Sequence, residues 1–230
     1  MDSPSEWFGP FLPLFIHETL RCAGEVTVWE EDGRVRGILL YDPQEKVGSV
    51  FAPTRPMAEA LLATRPGTSV FSEQELGPGS ETFLLFALNL QGWQPPTPLR
   101  YAVRIAREPD LPPVVALTRE VSGAADERWF RTFPQGTEVC FVAEVGGRMV
   151  GAGWASRVGR HGRIHSLVVS PRYRRIGLGT DLLLARLLWL KALGVEQAIS
   201  EIYAENRSSQ RVAEKAGMTC IGKMFHYPNR

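Results

Sequence analysis

The apolar positions of this chain change period in a fixed order along its second half. Tyr101–Ile105 alternates as a short strand, and Asp110-Leu-Pro-Pro opens a helical pattern to about Val121, with the acid as cap and prolines in the first turn. Ala124–Phe133 reads as another helix. Glu138–Val145 then alternates toward a Gly146-Gly147 hairpin turn, with a return strand from Arg148. Arg163–Ser170 (RIHSLVVS) reads as a buried strand, and a Leu-rich helix runs from about 178 to 193 before Gly194. Gln197–Tyr203 is a further strand, 207–216 a helix closed by Gly217, and a last strand starts at Met218.

The first half repeats part of this pattern. Val26–Glu31 leads into Asp32-Gly33, followed by Arg34-Val-Arg-Gly37 and the strand Ile38–Tyr41. Asp32–Gly37 falls on Gly146–Gly151 at a constant offset of 114 positions. Val50-Phe-Ala-Pro53 answers Val168-Val-Ser-Pro171, and a helix over Met57–Ala63 answers the Leu-rich one. Gln91–Pro98, with three prolines and a glycine in eight residues, is the linker, so domains are expected over 1–98 and 99–230. The competing reading is two unrelated hairpins with common turn chemistry.

Composition narrows the function classes. With 44% hydrophobic and 22% charged residues in 230, the chain can bury a sizeable core. A formal net charge of +1 argues against a nucleic-acid-binding surface. Cys22, Cys140 and Cys220 form neither a disulfide framework nor a zinc pattern, and Cys140 reads as a core residue. The start, with Asp2 and Glu6, does not read as a signal peptide, and Phe8–Ile16 is too short to span a bilayer. A cytoplasmic protein with no membrane partner and no metal is expected.

Val168–Gly179 (VVSPRYRRIGLG) carries the chemistry: a strand, a basic turn, then glycines opening the Leu-rich helix. Gly177 and Gly179 lack a Cβ, so a ligand can approach their backbone. The first helical turn presents N–H groups without intrahelical partners at the positive end of the dipole. Arg172, Arg174 and Arg175 add cationic donors, an arrangement suited to a phosphate or diphosphate.

Together with the flanking strands, Asn206-Arg-Ser-Ser209 and Lys215-Ala-Gly217-Met218, this set resembles the GNAT superfamily, the Gcn5-related N-acetyltransferases, over roughly residues 100–227. The resemblance implies an α/β fold (an α+β mixed sheet) in two GNAT-like halves. The first would be a degenerate copy, because Arg55-Pro-Met-Ala-Glu-Ala60 has no glycine; it would serve structure, substrate binding or dimerisation, as in a homodimer. It also implies acetyl-CoA as co-substrate. Leu167, Val168 and Val169 would bond the pantetheine arm through their main chain. Arg174, Arg175, Ile176, Gly177, Leu178, Gly179 and Thr180 would hold the diphosphate, with the Ile176 and Leu178 side chains in the core. Asn206 and Ser209 would lie near pantetheine and ribose, although Asn206 also reads as a helix cap. A family domain normally ends with one more strand, for which Tyr227–Arg230 leaves no room; the first half could supply it.

Many relatives protonate the leaving thiolate with a Tyr seven residues after this Asn; here the position is Ala213. Tyr203, Ser209, Tyr227 or Cys220 could stand in. For the base, His165 lies on the face of Leu167 and Val169 by the two-residue strand period, and an imidazole titrating near pH about 6.5 suits the task. Glu201, holding a water, and Glu205 are alternatives, and Tyr203 shares their face. The function expected is direct acetyl transfer in a ternary complex to a primary amine of a small molecule or amino acid. A silent CoA-binding module and a protein or peptide N-terminal acetyltransferase are the rivals.

Overall fold

The computed structural model describes Leu12, Phe15, Ile16, Thr19 and residues 24–123 and 138–228. The helix expected over 124–133 lies outside the described residues. Internal contacts divide the chain into two compact units. The first takes the described residues up to Leu85, Glu201–Asn206 and those from Cys220; the second takes the described residues of Phe86–Ser200 and Arg207–Thr219.

In the first unit, β1 (Glu25–Glu31) and β2 (Arg34–Asp42) form an antiparallel hairpin through Asp32 and Gly33, both at positive φ. β3 (Val47–Phe51) returns antiparallel to β2. Helix α1 (Arg55–Leu62) follows, and β4 (Ser69–Ser72) then runs parallel to β3. Helix α1 begins two residues before the sequence expectation because Thr54 is extended and Pro56 occupies the first turn, where a missing N–H costs nothing. Its apolar side, Ala58, Leu61 and Leu62, buries against Leu39, Val50 and Val70. β5 (Glu81–Asn89), in its part up to Leu85, and β11 (Thr219–Tyr227), from Cys220 on, complete this unit, β11 pairing antiparallel with β4. A polar run crosses β4, β11 and β5: Ser69 Oγ lies 2.8 Å from His226 Nε2, and His226 Nδ1 lies 2.9 Å from Glu81 Oε2. The His226 ring stacks on Phe71 at 4.3 Å.

Burial pushes the Glu73 carboxyl, just after β4, up to about 7. Below pH 4.5 it is protonated folded and unfolded alike. Between about 4.5 and 7 the unfolded chain ionises while the folded chain keeps the proton, so stability is lost as pH rises. Glu73→Gln should therefore match the wild type near pH 4 and exceed it above pH 7, by on the order of 2–3 kcal/mol in denaturant unfolding. A variant no more stable at pH 8 would refute the burial.

The second unit repeats the succession. β6 (Val103–Ile105) flanks the hairpin of β7 (Glu138–Val145) and β8 (Arg148–Val158), and β9 (His161–Val169) runs antiparallel to β8. Helix α3 (Leu178–Ala192) connects β9 to β10 (Gln197–Tyr203), which is parallel to it. Helices α2 (Leu111–Ser122) and α4 (Arg207–Lys215) complete it, and α2 ends where Gly123 adopts φ 74. The two hairpins share their irregularity as well as their turn. β1–β2 slips register between Trp29 and Glu30, and β7–β8 slips between Ala143 and Glu144, again 114 positions on.

Two apolar layers sandwich the β7–β9 strands. On one face α2 brings Val114 and Leu117 to Cys140, Val142, Ala152, Trp154 and Val168. On the other, α3 brings Leu178, Leu182 and Ala185 to Phe141, Ala143, Val150 and Ala155. Helix α3 buries almost its whole circumference, as its leucines around every turn require. Gly151 and Gly162 let it approach, since a Cβ there would meet Leu182 and Leu190 at 2.7 and 2.6 Å. Residues 91–98 are irregular, yet anchored: Trp93 Nε1 donates to the Ala216 carbonyl at 3.0 Å, and Lys191 Nζ donates to the Trp93 carbonyl. β5 supplies Phe86–Asn89 to this unit beside β10, and the Leu90 N–H donates to the Glu196 carbonyl at 2.7 Å.

No helix among the described residues is long and apolar enough to cross a membrane.

Candidate active site

The ladder between β9 and β10 runs only from Gln197 opposite His161 to Ile199 opposite Arg163, although β9 continues to Val169. Past that point β9 keeps its pairing with β8. This is where Leu167, Val168 and Val169 lie.

At the end of β9 the chain turns through Pro171–Tyr173, and Arg174 folds back so that its Nε donates to the Val169 carbonyl at 3.1 Å. Arg175 is held at φ 63 and Gly177 at φ 98, and Gly177 caps α3. The first-turn N–H groups of Leu178, Gly179 and Thr180 precede the first intrahelical bond, from the Asp181 N–H to the Gly177 carbonyl at 3.1 Å. Three unpaired donors, the helix dipole and nearby guanidinium groups fit a diphosphate.

The two glycines are not equivalent. A Cβ on Gly177 would stand 1.4 Å from Arg100 Nη2, whereas one on Gly179 would make ordinary 3.8 Å contacts with Leu167, Val169 and Val212. The protein itself requires glycine at 177, for its φ and for the close approach of Arg100, and leaves room for a Cβ at 179. The expected core placement of Ile176 is corrected. Its side chain is 40% exposed while Leu178 is 1% exposed, because Ile176 precedes the helix on an outward turn.

Arg100 was not legible in sequence, standing 77 positions before Gly177 with no motif around it. Asp181 brings it there: the Asp181 Oδ2, buried at the start of α3, accepts the Arg100 and Tyr101 N–H groups at 2.7 and 2.9 Å. The Arg100 guanidinium then lies on the bare Gly177 backbone, a further cation at this turn.

His165 is placed differently from the strand-period expectation. Trp154 pairs with His165 and Ala152 with Val168, so two steps on β8 span three on β9, and Ser166 sits at φ 51. This bulge reverses the alternation. Val168 joins Trp154 and Ala152 under α2, while Leu167 and Val169 pack toward α3. His165, opposite Trp154, is thus on the α2 face and not on that of Leu167 and Val169.

There it meets Glu138 at the start of β7, with His165 Nε2 2.8 Å from Glu138 Oε1 and both side chains largely buried. On its other side the ring places Nδ1 3.2 Å from Ser166 Oγ. Glu138 was missed because it looks like an ordinary strand start; the signal was its two-residue phase with Cys140, whose pairing through Trp154 to His165 puts that phase on the histidine's face.

Glu201, Tyr203 and Asn206 belong to the first unit, whereas His165, Leu167–Val169, Arg174–Thr180 and Ser209 belong to the second. The Tyr203 ring packs against Phe83 at 5.7 Å, and the Glu205 carboxylate raises its phenol above the ordinary value. Asn206 directly precedes α4, with its N–H on the Tyr203 carbonyl at 2.8 Å; Ser209 lies in the first turn of α4 and Ala213 is buried within it. Burial pushes the Cys140 thiol up to about 12, which disqualifies it as a nucleophile. Among the described residues no group of three or more His, Cys, Asp or Glu side chains is placed to hold a metal.

The profile of the acetyltransferase (GNAT) family matches residues 101–218. Human N-alpha-acetyltransferase 30 is 28% identical over 136 residues, 56% of this chain and 37% of that protein, so the chain spans well under half of this relative's length. A GCN5-related N-acetyltransferase from Sphaerobacter thermophilus superposes with a TM-score of 0.66 over 89% of this chain and 80% of its own, at 16% identity. A tandem GNAT protein from the clavulanic acid biosynthesis pathway reaches 0.59 over 98% and 96%, at 18% identity. These two structures speak for the fold.

Proposed function

The chain belongs to the acetyltransferase (GNAT) family, and on that premise we propose that its second unit transfers an acetyl group from acetyl-CoA to a primary amine of a small molecule or amino acid. The observation that carries the proposal is the pairing, in one unit, of a diphosphate turn built on Gly177 with a buried Glu138–His165 dyad at the bulge of β9.

The first-turn N–H groups of α3, with Arg100, Arg174 and Arg175, hold the diphosphate of the coenzyme. The pantetheine arm lies along the β9 edge at Leu167–Val169, beyond the ladder of His161–Arg163 with β10. His165 Nδ1 takes a proton from the amine, directly or through the Ser166 hydroxyl, as nitrogen attacks the thioester carbon. Glu138 holds the ring and balances the imidazolium. The C–S bond breaks and the thiolate leaves. With Ala213 where many relatives carry a tyrosine, water protonates it. Holding amine and thioester together supplies much of the rate.

We read the first unit as a degenerate GNAT-like half that does not bind coenzyme. The shared strand–helix order, the matching register slips and the absence of glycine from Arg55–Ala60 support this. The 28% identity to human N-alpha-acetyltransferase 30 favours a second reading of the acceptor, the α-amine of a peptide N-terminus. Incubation with acetyl-CoA and parallel panels of small amines, amino acids and N-terminal peptides, followed by titration of released thiol, separates the two. Amine-dependent release above the hydrolysis rate is expected. Tight CoA binding with no release on any panel would replace the enzyme by a silent CoA-binding module.

A further inference from the structure

Arg186 interrupts the leucines of α3 and is 1% exposed. A guanidinium in such a place is costly unless its donors are satisfied. Its hydrogen bonds go to main-chain carbonyls. Nε donates to Leu182 at 2.9 Å within the helix, and Nη1 donates to Trp154 on β8 and His165 on β9, both at 3.1 Å. Burial, with no carboxylate contributing, pulls its pKa down to about 9. A leucine at this position would extend the apolar layer at no such cost.

The two strand carbonyls flank the β9 bulge. A bulge takes backbone groups out of the ladder, and those groups then need another partner in the interior. Arg186 is that partner. Its guanidinium fits because position 153 is glycine: a Cβ there would lie 2.9 Å from its Cζ and Nη1. Gly153 stands on β8 between Ala152 and Trp154, the two residues that bracket the slip in register. One glycine and one arginine, 33 positions apart in sequence, thus meet at the distortion that turns Leu167 and Val169 to the face opposite His165.

We propose that Arg186 is a positioning residue for acyl transfer: by holding the Trp154 and His165 carbonyls it locks the bulge that follows the histidine, which keeps the imidazole seated against Glu138 and turns Leu167–Val169 to the opposite face with their main chain on the coenzyme edge. This deepens the acetyltransferase reading and rests on it. Arg186 bonds the Leu182, Trp154 and His165 carbonyls and not the turn before α3, so its loss acts on turnover more than on coenzyme binding.

The test compares wild type, Arg186→Met, Arg186→Lys and Gly153→Ala by thermal melt, CoA titration, and kcat and KM for acetyl-CoA with the best amine of the panel. Arg186→Met should stay folded, bind CoA within about 3-fold of wild type, and lose on the order of 100-fold in kcat with KM little changed, as expected for misplaced reacting groups. Arg186→Lys should recover part of the loss, since an ammonium can still reach one carbonyl. A folded Arg186→Met with wild-type kcat, or Lys no better than Met, overturns the proposal. Should Arg186→Met not fold, Gly153→Ala keeps the charge and displaces it; kcat about 10-fold lower is then expected, and unchanged kcat overturns the proposal.

If the wild type itself acetylates nothing, that failure belongs to the function. The bulge lock is then read from the imidazole 15N resonances of His165, which should shift in Gly153→Ala. Unchanged resonances would overturn the lock by themselves.

Discussion

Gly177→Asp should abolish measurable coenzyme binding while Gly179→Ala leaves it intact. At Gly177 the backbone holds φ 98, which costs a side chain on the order of 1–2 kcal/mol. The new Cβ would overlap Arg100 Nη2 at 1.4 Å and drive that guanidinium away. The carboxylate then replaces a cation beside the diphosphate. Losses of strain, cation and charge sign together predict an affinity drop of at least about 100-fold, roughly 2.7 kcal/mol. At Gly179 the Cβ enters ordinary contact with Leu167, Val169 and Val212, and alanine favours the helix by about 1 kcal/mol over glycine. That variant should melt at or above the wild-type temperature and bind CoA within about 3-fold. Calorimetric titration of both with CoA decides the matter. Gly177→Asp binding like wild type would remove the diphosphate turn; Gly179→Ala losing affinity as badly would show that its backbone, too, must stay bare.

The second large effect is on turnover. His165→Ala should lower kcat on the order of 100-fold, the range typical of a lost general base, with CoA affinity unchanged. Glu138→Gln keeps a hydrogen-bonding group at Nε2 but removes the charge that stabilises an imidazolium. It should cost about 10-fold. Because the two act through one ring, the double variant should be no slower than His165→Ala alone. Independent, multiplying effects would break the dyad apart. Glu201→Gln is the control, with little effect expected; if it is the slow variant and His165→Ala is not, proton removal belongs to Glu201.

The parts of the site that were legible in sequence are those where a residue's role follows from its neighbours. The turn from Arg174 to Thr180 was readable because φ freedom, helix N–H groups and arginine charge are all local properties. So were the hairpins, whose Asp32-Gly33 and Gly146-Gly147 turns occupy positive φ as their residue types require. Helix α3 was readable from its leucines. The dyad was not. Placing His165 with Leu167 and Val169 assumed an unbroken two-residue period, and a single inserted residue at Ser166 reverses the faces beyond it.

Arg100 and Arg186 failed to stand out for a different reason. Each acquires meaning only from a glycine far along the chain, Gly177 and Gly153, that leaves room for a guanidinium. Glu138 likewise needed the third dimension to find its partner.

Local stereochemistry therefore set the elements, the glycine turn before α3 and the repeated strand–helix order from residue types alone, since each depends on atoms within a few positions. Folding decided which face the histidine shares with its neighbours, which acid it meets and which buried cation lies at the bulge. Those depend on registers between strands and on vacant volume beside glycines, and neither is written in any short stretch of chain.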